Sequence, residues 1–471
     1  MATATTDIVQ KLWNLCTLLR EDGVTYHQYV TELTYLLFLK MMKEQGRETA
    51  LPKEYRWGEL TKLEGVEQLD FYKRLLLELG KAKNHLVRDI YENASTTLKK
   101  PKTLAALVQA FDQLEWFSGE RENLGDLYEG LLEKNANEVK SGAGQYFTPR
   151  PLVRAMVECL KPRPGELIQD PAAGTGGFLI EADRYIKEQT DKLFDLPAAK
   201  QEFQKKQAFF GMELVEETRR LALMNLLLHD IEGDLRAGDT LSPLGAQLAK
   251  ADVILTNPPF GTKAGGGKPS RDDFTFPTSN KQLAFVEHVY RALKPGGRAA
   301  VVVPDNVLFE DNVGREIRTD LMDKCDLHTV LRLPTGIFYA QGVKTNVLFF
   351  TRGTTDKGNT KATWFFDLRA NMPSFGKKTP LTAEHFAEFL KAYGEDPNGK
   401  SKRKDQGEEG RFRKFTREAV KERNDNLDLS WLKDESHTDA EDLPEPEVVL
   451  AQIREKLEGA LAAVAALEEA L

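Results

Sequence analysis

The sequence predicts an α/β fold, a parallel sheet covered by helices on both faces, over residues 141–393 of a 471-residue chain. Three observations predict it. Short apolar runs alternate with helical stretches: Leu167 to Gln169, Phe209 to Met212, Val253 to Leu255, Ala299 to Val303, Thr329 to Leu333 and Val347 to Phe350 read as buried strands. Between two of them Leu283 to Leu293 has helical spacing and is closed by Lys294-Pro295-Gly296-Gly297, a helix-stop signal. A glycine turn, Gly174-Thr175-Gly176-Gly177, separates the first strand from a helix beginning near Gly176, where such sheets open a ligand crevice.

The remaining elements follow in order. Residues 1 to about 140 read as a helical N-terminal domain, with apolar spacing near 3.6 from Ile8 to Leu19, Tyr29 to Met42 and Leu69 to Leu79 and no glycine turn or strand alternation. Asn123 to Leu132 reads as a helix leading into the motif at Gln145. Beyond the sheet, 394–443 is polar, charged and glycine-bearing, and reads as a linker and irregular segment. Residues 444–471 read as a C-terminal helix whose alanine-rich surface, from Val448 to Leu471, needs something to pack on, its own chain or a partner.

Two motifs carry chemistry. Asn257-Pro258-Pro259-Phe260 follows the strand Val253 to Leu255. A planar exocyclic amine such as adenine N6 is a weak nucleophile because its lone pair is delocalised, so an enzyme alkylating it must hold its hydrogens with acceptors. The Asn257 side-chain oxygen and the Pro258 carbonyl can accept both N–H groups, the prolines stiffen the backbone, and Phe260 can stack on the base. Alone, the tetrapeptide reads more readily as a proline turn after a strand. The second motif runs from Ile168 to Phe178 through Asp170, Ala173, Gly174, Thr175, Gly176 and Gly177. Its glycines let the backbone approach a ligand. The Asp170 carboxylate at its start suits a cation, such as the ammonium and sulfonium of S-adenosylmethionine, better than a pyrophosphate. Phe209-Phe210-Gly211-Met212-Glu213 then reads as a second strand ending in an acid, as a ribose-binding carboxylate would. The polar helical stretch from Arg184 to Lys206 lengthens the interval between them.

With these residues in order, the chain resembles the DNA-methylating M subunit (HsdM) of type I restriction-modification systems, adenine-N6 methyltransferases, over nearly its whole length. The resemblance implies a Rossmann-like domain of seven strands, one antiparallel. It assigns Gln145, Tyr146, Phe147, Thr148, Pro149 and Arg150 to the methionine side of the cofactor, Asp170 to Gly177 to the glycine motif, Glu213 to the ribose and Asp239 to the adenine side. Asn257, Pro258, Pro259 and Phe260 become the catalytic loop. Ala173 stands where many members have Cys, one small residue for another. S-adenosyl-L-methionine is the implied cofactor. DNA, a specificity (S) subunit, a second M subunit and a restriction (R) subunit are the implied partners, the N-terminal domain contacting DNA or a partner and the C-terminal end the S subunit.

Composition limits the alternatives. Lys plus Arg at 65 against Asp plus Glu at 73 gives a net charge of −8, whereas self-sufficient DNA binders usually carry a basic surface. Two local clusters offer one: Lys263, Lys268, Arg271 and Lys281 beside the tetrapeptide, within a long loop from Gly261 to Gln282 that reads as a clamp, a lid or a solvated segment; and Lys400, Lys402, Arg403, Lys404, Arg411, Arg413 and Lys414. Cytosine C5 methylation needs a nucleophilic Cys, typically after Pro, and Cys16, Cys159 and Cys325 follow Leu15, Glu158 and Lys324. Cytosine N4 and a glutamine amide present the same kind of amine, and a self-sufficient methyltransferase or a non-catalytic scaffold are the other readings. Three distant cysteines suggest neither disulfides nor a metal cluster, and no stretch nears the roughly 18 apolar residues of a membrane span. A cytoplasmic protein is expected.

Overall fold

The computed structural model describes residues 13–24, 28–113, 125, 128–133, 148–261, 269–338, 343–373, 375–376 and 379–432. The expected C-terminal helix at 444–471, the residues Gln145, Tyr146 and Phe147, and the lysines Lys263 and Lys268 lie outside them, as do Asn123, Leu124, Asp126 and Leu127 of the stretch from Asn123 to Leu132.

Among the described residues nine strands form one sheet: β1 Ile168–Asp170, β2 Phe209–Glu213, β3 Asp234–Ala237, β4 Ala251–Thr256, β5 Leu293–Pro304, β6 Cys325–Arg332, β7 Thr345–Arg352, β8 Ala362–Asp367 and β9 Phe412–Thr416. Their order is β3-β2-β1-β4-β5-β7-β6-β8-β9. Only β7 and β9 run against the rest, each pairing antiparallel with its neighbours. Every run expected as a strand is one. The seven-stranded sheet is present, and β8 and β9 extend it to nine.

Among the helices are α1 Tyr29–Glu44, α2 Gly65–Leu79, α3 His85–Tyr91, α4 Pro101–Gln113, α5 Arg150–Leu160, α6 Gly177–Glu188, α7 Glu216–Leu228, α8 Lys281–Ala292 and α9 Val313–Lys324. Alternation along the strands divides the core. Val253, Leu255, Ala300 and Val302 join the cluster that holds residues of α5, α6 and α7, whereas Ile254, Ala299, Val301 and Val303 join the cluster under α8 and α9. The N-terminal helices share the first cluster. Arg220 of α7, buried, donates to the carbonyls of Ile90 and Glu92 at 2.7 Å and lies 5.5 Å over the Tyr35 ring, while Arg219 pairs with Asp89 at 2.8 Å. These bonds satisfy backbone groups at the end of α3 and fix the helical layer on α7.

The expected linker from 394 needs correction over its described part. Phe412–Thr416 is β9, with Phe412 stacked on Trp364 at 4.8 Å, and Arg318 and Arg332 reach the carbonyls of Asp425 and Leu429. The misreading has a physical cause: in β9 apolar residues are spaced by Arg413 and Lys414, so an edge strand reads as a charged loop.

Candidate active site

The parallel strands deliver the motif residues to one end of the sheet. Asp170 ends β1, Glu213 ends β2, and Asn257 follows the last residue of β4. Gly211 stands opposite Asp170 in the β1–β2 ladder, and a Cβ on it would lie 2.0 Å from the Asp170 carbonyl oxygen. Within the turn Gly174 and Gly176 take φ of 54° and 81°, which L side chains rarely adopt, and Gly176 caps α6.

Thr148, Arg150, Asp170, Ala173, Thr175, Gly177 and Asn257, with Val153, Ala172 and Phe178, line one recess. Thus residues from the element before β1, the glycine turn and the loop beginning at Asn257 meet. Pro149, Gly174 and Gly176 belong to the same turns. Glu213 and Asp239 stand outside the recess wall. The Glu213 carboxylate, buried, accepts the N–H of Gly174 at 2.8 Å and of Val215 at 2.9 Å, tying the glycine turn to β2. Each oxygen keeps a lone pair for a ligand hydroxyl. Asp239 accepts the Leu241 N–H at 2.8 Å.

Among the described residues, two acceptors in the recess have no hydrogen-bond partner. Asn257 Nδ2 donates to the Thr148 hydroxyl at 3.1 Å, which fixes the amide and leaves Oδ1 buried and unpaired. Asp170 is fully buried; its Oδ1 accepts the Ala172 N–H at 3.1 Å and its Oδ2 has no partner. Burial pushes this carboxyl up to about 7. A carboxyl with one oxygen left unbonded at a recess fits a cationic group, so the residues present suit a sulfonium ligand bearing an ammonium.

Pro258 is buried, Pro259 exposed and Phe260 half-buried. Phe260 meets Phe338 edge-on, ring centroids 6.3 Å apart and planes at 73°. Phe338 was not singled out in the sequence. The available signal was an aromatic in a glycine-bearing loop, Pro334 to Phe338, leaving the same end of another parallel strand, β6.

The basic clusters need correction. The Arg271 side chain is 4% exposed and turns inward onto Asp273. Arg403 donates to the Tyr393 carbonyl and the Thr329 hydroxyl, Arg411 to the carbonyls of Asp367 and Ala370, and Arg413 lies over the rings of Phe415 and Trp431. These arginines brace loops; Lys400, Lys402, Lys404 and Lys414 remain exposed. Among the described residues no group of three or more His, Cys, Asp and Glu could hold a metal, the three cysteines are buried and form no disulfide, and no helix is long and apolar enough to cross a membrane.

Residues 119–441 match the N-6 DNA Methylase family and residues 8–111 the HsdM N-terminal domain. The type I restriction enzyme EcoKI methylase subunit of Escherichia coli (strain K12) is 54% identical over 501 aligned positions, covering 98% of this chain and 94% of that protein. The chain belongs to the type I methylase subunits. The crystal structure of the EcoKI M protein aligns with this methylase subunit at a TM-score of 0.60 and 49% identity, covering 98% and 96% of the two chains. A chain from a type I R-M system studied for its complex assembly and conformational transition aligns at a TM-score of 0.73 and 28% identity, covering 98% and 97%. This methylase subunit is an adenine-N6 DNA methyltransferase of the S-adenosylmethionine-dependent class.

Proposed function

We propose that the methylase subunit methylates adenine N6 at sites chosen by a separate specificity subunit, working with a second M subunit, and with R subunits when the complex restricts DNA. The observation that carries the catalytic assignment is the Asn257 amide: oriented by Thr148, with an unpaired acceptor oxygen at the recess that holds Asp170. S-adenosylmethionine, when bound, supplies an electrophilic methyl group. Asp170, Ala173, Thr175, Gly177, Thr148 and Arg150 would hold it in the recess, and Glu213 and Asp239 at its nucleoside end.

The target adenine is flipped out of the duplex, since N6 is otherwise out of reach. Phe260 stacks on the base and Phe338 walls its edge. Asn257 Oδ1 and the Pro258 carbonyl accept the two N6 hydrogens and localise the nitrogen lone pair. A C–N bond forms as the S–CH3 bond of the sulfonium donor breaks, its electron pair staying on sulfur as a neutral thioether; positive charge grows on N6, and the same two acceptors stabilise that charge. The methylated nitrogen then loses one proton to water, so no residue is needed as a base beforehand.

The net charge of −8 favours a subunit that borrows much of its DNA affinity from a partner over a self-sufficient enzyme. The test is incubation with labelled S-adenosylmethionine and DNA, with and without the S subunit, followed by nucleoside analysis. N6-methyladenine only with the S subunit is expected. Label without it would establish a self-sufficient enzyme, and cofactor binding without any label would favour a scaffold.

Two further outcomes are expected. Phe338→Ala should lower kcat/KM for DNA about tenfold, the worth of an aromatic contact of roughly 1–1.5 kcal/mol, with cofactor affinity unchanged. The pH dependence of cofactor binding follows from Asp170. Its folded pKa of about 7 lies above the ordinary 3.8, so the carboxyl is protonated below 7 and its charge is available to a cation only above it. Affinity for S-adenosylmethionine, by calorimetry, should therefore fall as pH drops below about 7, by at most about tenfold per unit. The same raised pKa makes the unliganded fold less stable as pH rises through 4 to 7. Asp170→Asn should flatten the affinity profile.

A further inference from the structure

The segment following the catalytic loop is strapped to the cofactor strands through one buried side chain. Arg271 grips Asp273 with Nε and Nη2 at 2.8 and 2.5 Å, and its guanidinium lies 4.2 Å over the Phe274 ring. Its Nη1 donates to the Thr240 carbonyl at 3.2 Å and to His288 Nδ1 at 2.7 Å. Burial, then the neighbouring Arg271 charge, push the His288 pKa down to about 3, so this ring stays neutral and can accept. The Thr240 hydroxyl in turn donates to the Pro171 carbonyl at 2.5 Å. One chain of bonds thus runs from the segment beyond β4, through the turn after β3, to the turn after β1. Packing repeats the connection independently: Ala172 and Phe274 both pack on the cluster of Leu241, Ala284 and Phe285. The fully buried Glu287 of α8 clamps the segment by accepting the N–H groups of Thr275 and Phe276.

The two turns so joined carry Asp170 and Asp239, the acids assigned to opposite ends of the cofactor. We propose that Arg271 is a positioning residue for the cofactor pocket, setting the Asp239–Thr240 turn against the Asp170–Ala172 turn and thereby setting affinity for S-adenosylmethionine. The inference rests on the assignment of those acids made above. A planar fork is required, because an ammonium cannot reach carboxylate, carbonyl and imidazole at once.

The test is calorimetric binding of S-adenosylmethionine to the full chain as wild type, Arg271→Lys and Thr240→Val, with melting temperatures and steady-state kinetics in the presence of the S subunit. In both variants affinity should fall about tenfold, as expected for loss of coupling between two parts of one site. The KM for S-adenosylmethionine should rise to match, with kcat at saturating cofactor within about threefold of wild type. Lowered melting temperature with unchanged cofactor affinity would make Arg271 a brace only and overturn the inference, as would a kcat loss at constant KM for S-adenosylmethionine. Wild-type protein that itself fails to bind S-adenosylmethionine would instead remove the cofactor assignment, and this inference with it.

Discussion

Replacing Asn257 by alanine should lower kcat about 30- to 1000-fold, the equivalent of 2–4 kcal/mol of barrier lost when one preorganised partner of the developing charge is removed. Cofactor affinity should barely change, because the side chain spends its one internal bond on Thr148. The measurement is single-turnover methylation of a target duplex in the presence of the S subunit, alongside calorimetric binding of S-adenosylmethionine. A wild-type rate would sink the assignment. Thr148→Val provides a finer check. It deletes the hydroxyl that holds the amide but leaves the acceptor oxygen, so it should cost less, and in the double variant its effect should largely vanish, since nothing remains to orient.

The second large effect is structural. A methyl group at position 211 would sit 2.0 Å from the Asp170 carbonyl oxygen, a backbone atom in the middle of the sheet that has no flexible end to swing aside. Gly211→Ala should therefore destabilise the protein by about 3 kcal/mol, the upper range for overpacking. The strands forced apart are those ending in Asp170 and Glu213, so cofactor affinity should fall with stability. Thermal unfolding and calorimetry on the same preparation check both. A variant as stable as wild type would show that the ladder can open without cost.

Legibility in the sequence followed burial. Strands β4, β5 and β7 are covered on both faces and read as continuous apolar runs. Asp234–Ala237 is an edge strand with a single buried residue, Leu235, and offers no such pattern. The site divides similarly. Residue types at strand ends singled out Asp170, Glu213 and Asn257, which the fold brings to one end of the sheet, since chemistry restricts what a proposed site can hold there. The direction of a side chain did not show: Arg271, in a segment rich in charge, glycine and proline, has the composition of a solvated residue, and only the placement of Thr240 and His288 around it turns it inward. Nor could spacing pair Phe260 with Phe338, brought together by two loops from different strands.

The strand β9 has a consequence for how the molecule tolerates cutting. Because Phe412–Thr416 shields the outer edge of β8, and Arg318 and Arg332 hold the carbonyls of Asp425 and Leu429, a protease cleaving ahead of Phe412 would do more than shorten a tail. It would bare the main-chain amides of β8 beside Trp364 and take from two buried guanidinium groups their acceptors at Asp425 and Leu429, leaving Arg318 the Val307 and Glu310 carbonyls and Arg332 the more distant Asp367 carboxylate. Such an edge invites a strand from another molecule, so the damage would surface first as self-association and only afterwards as lost methylation.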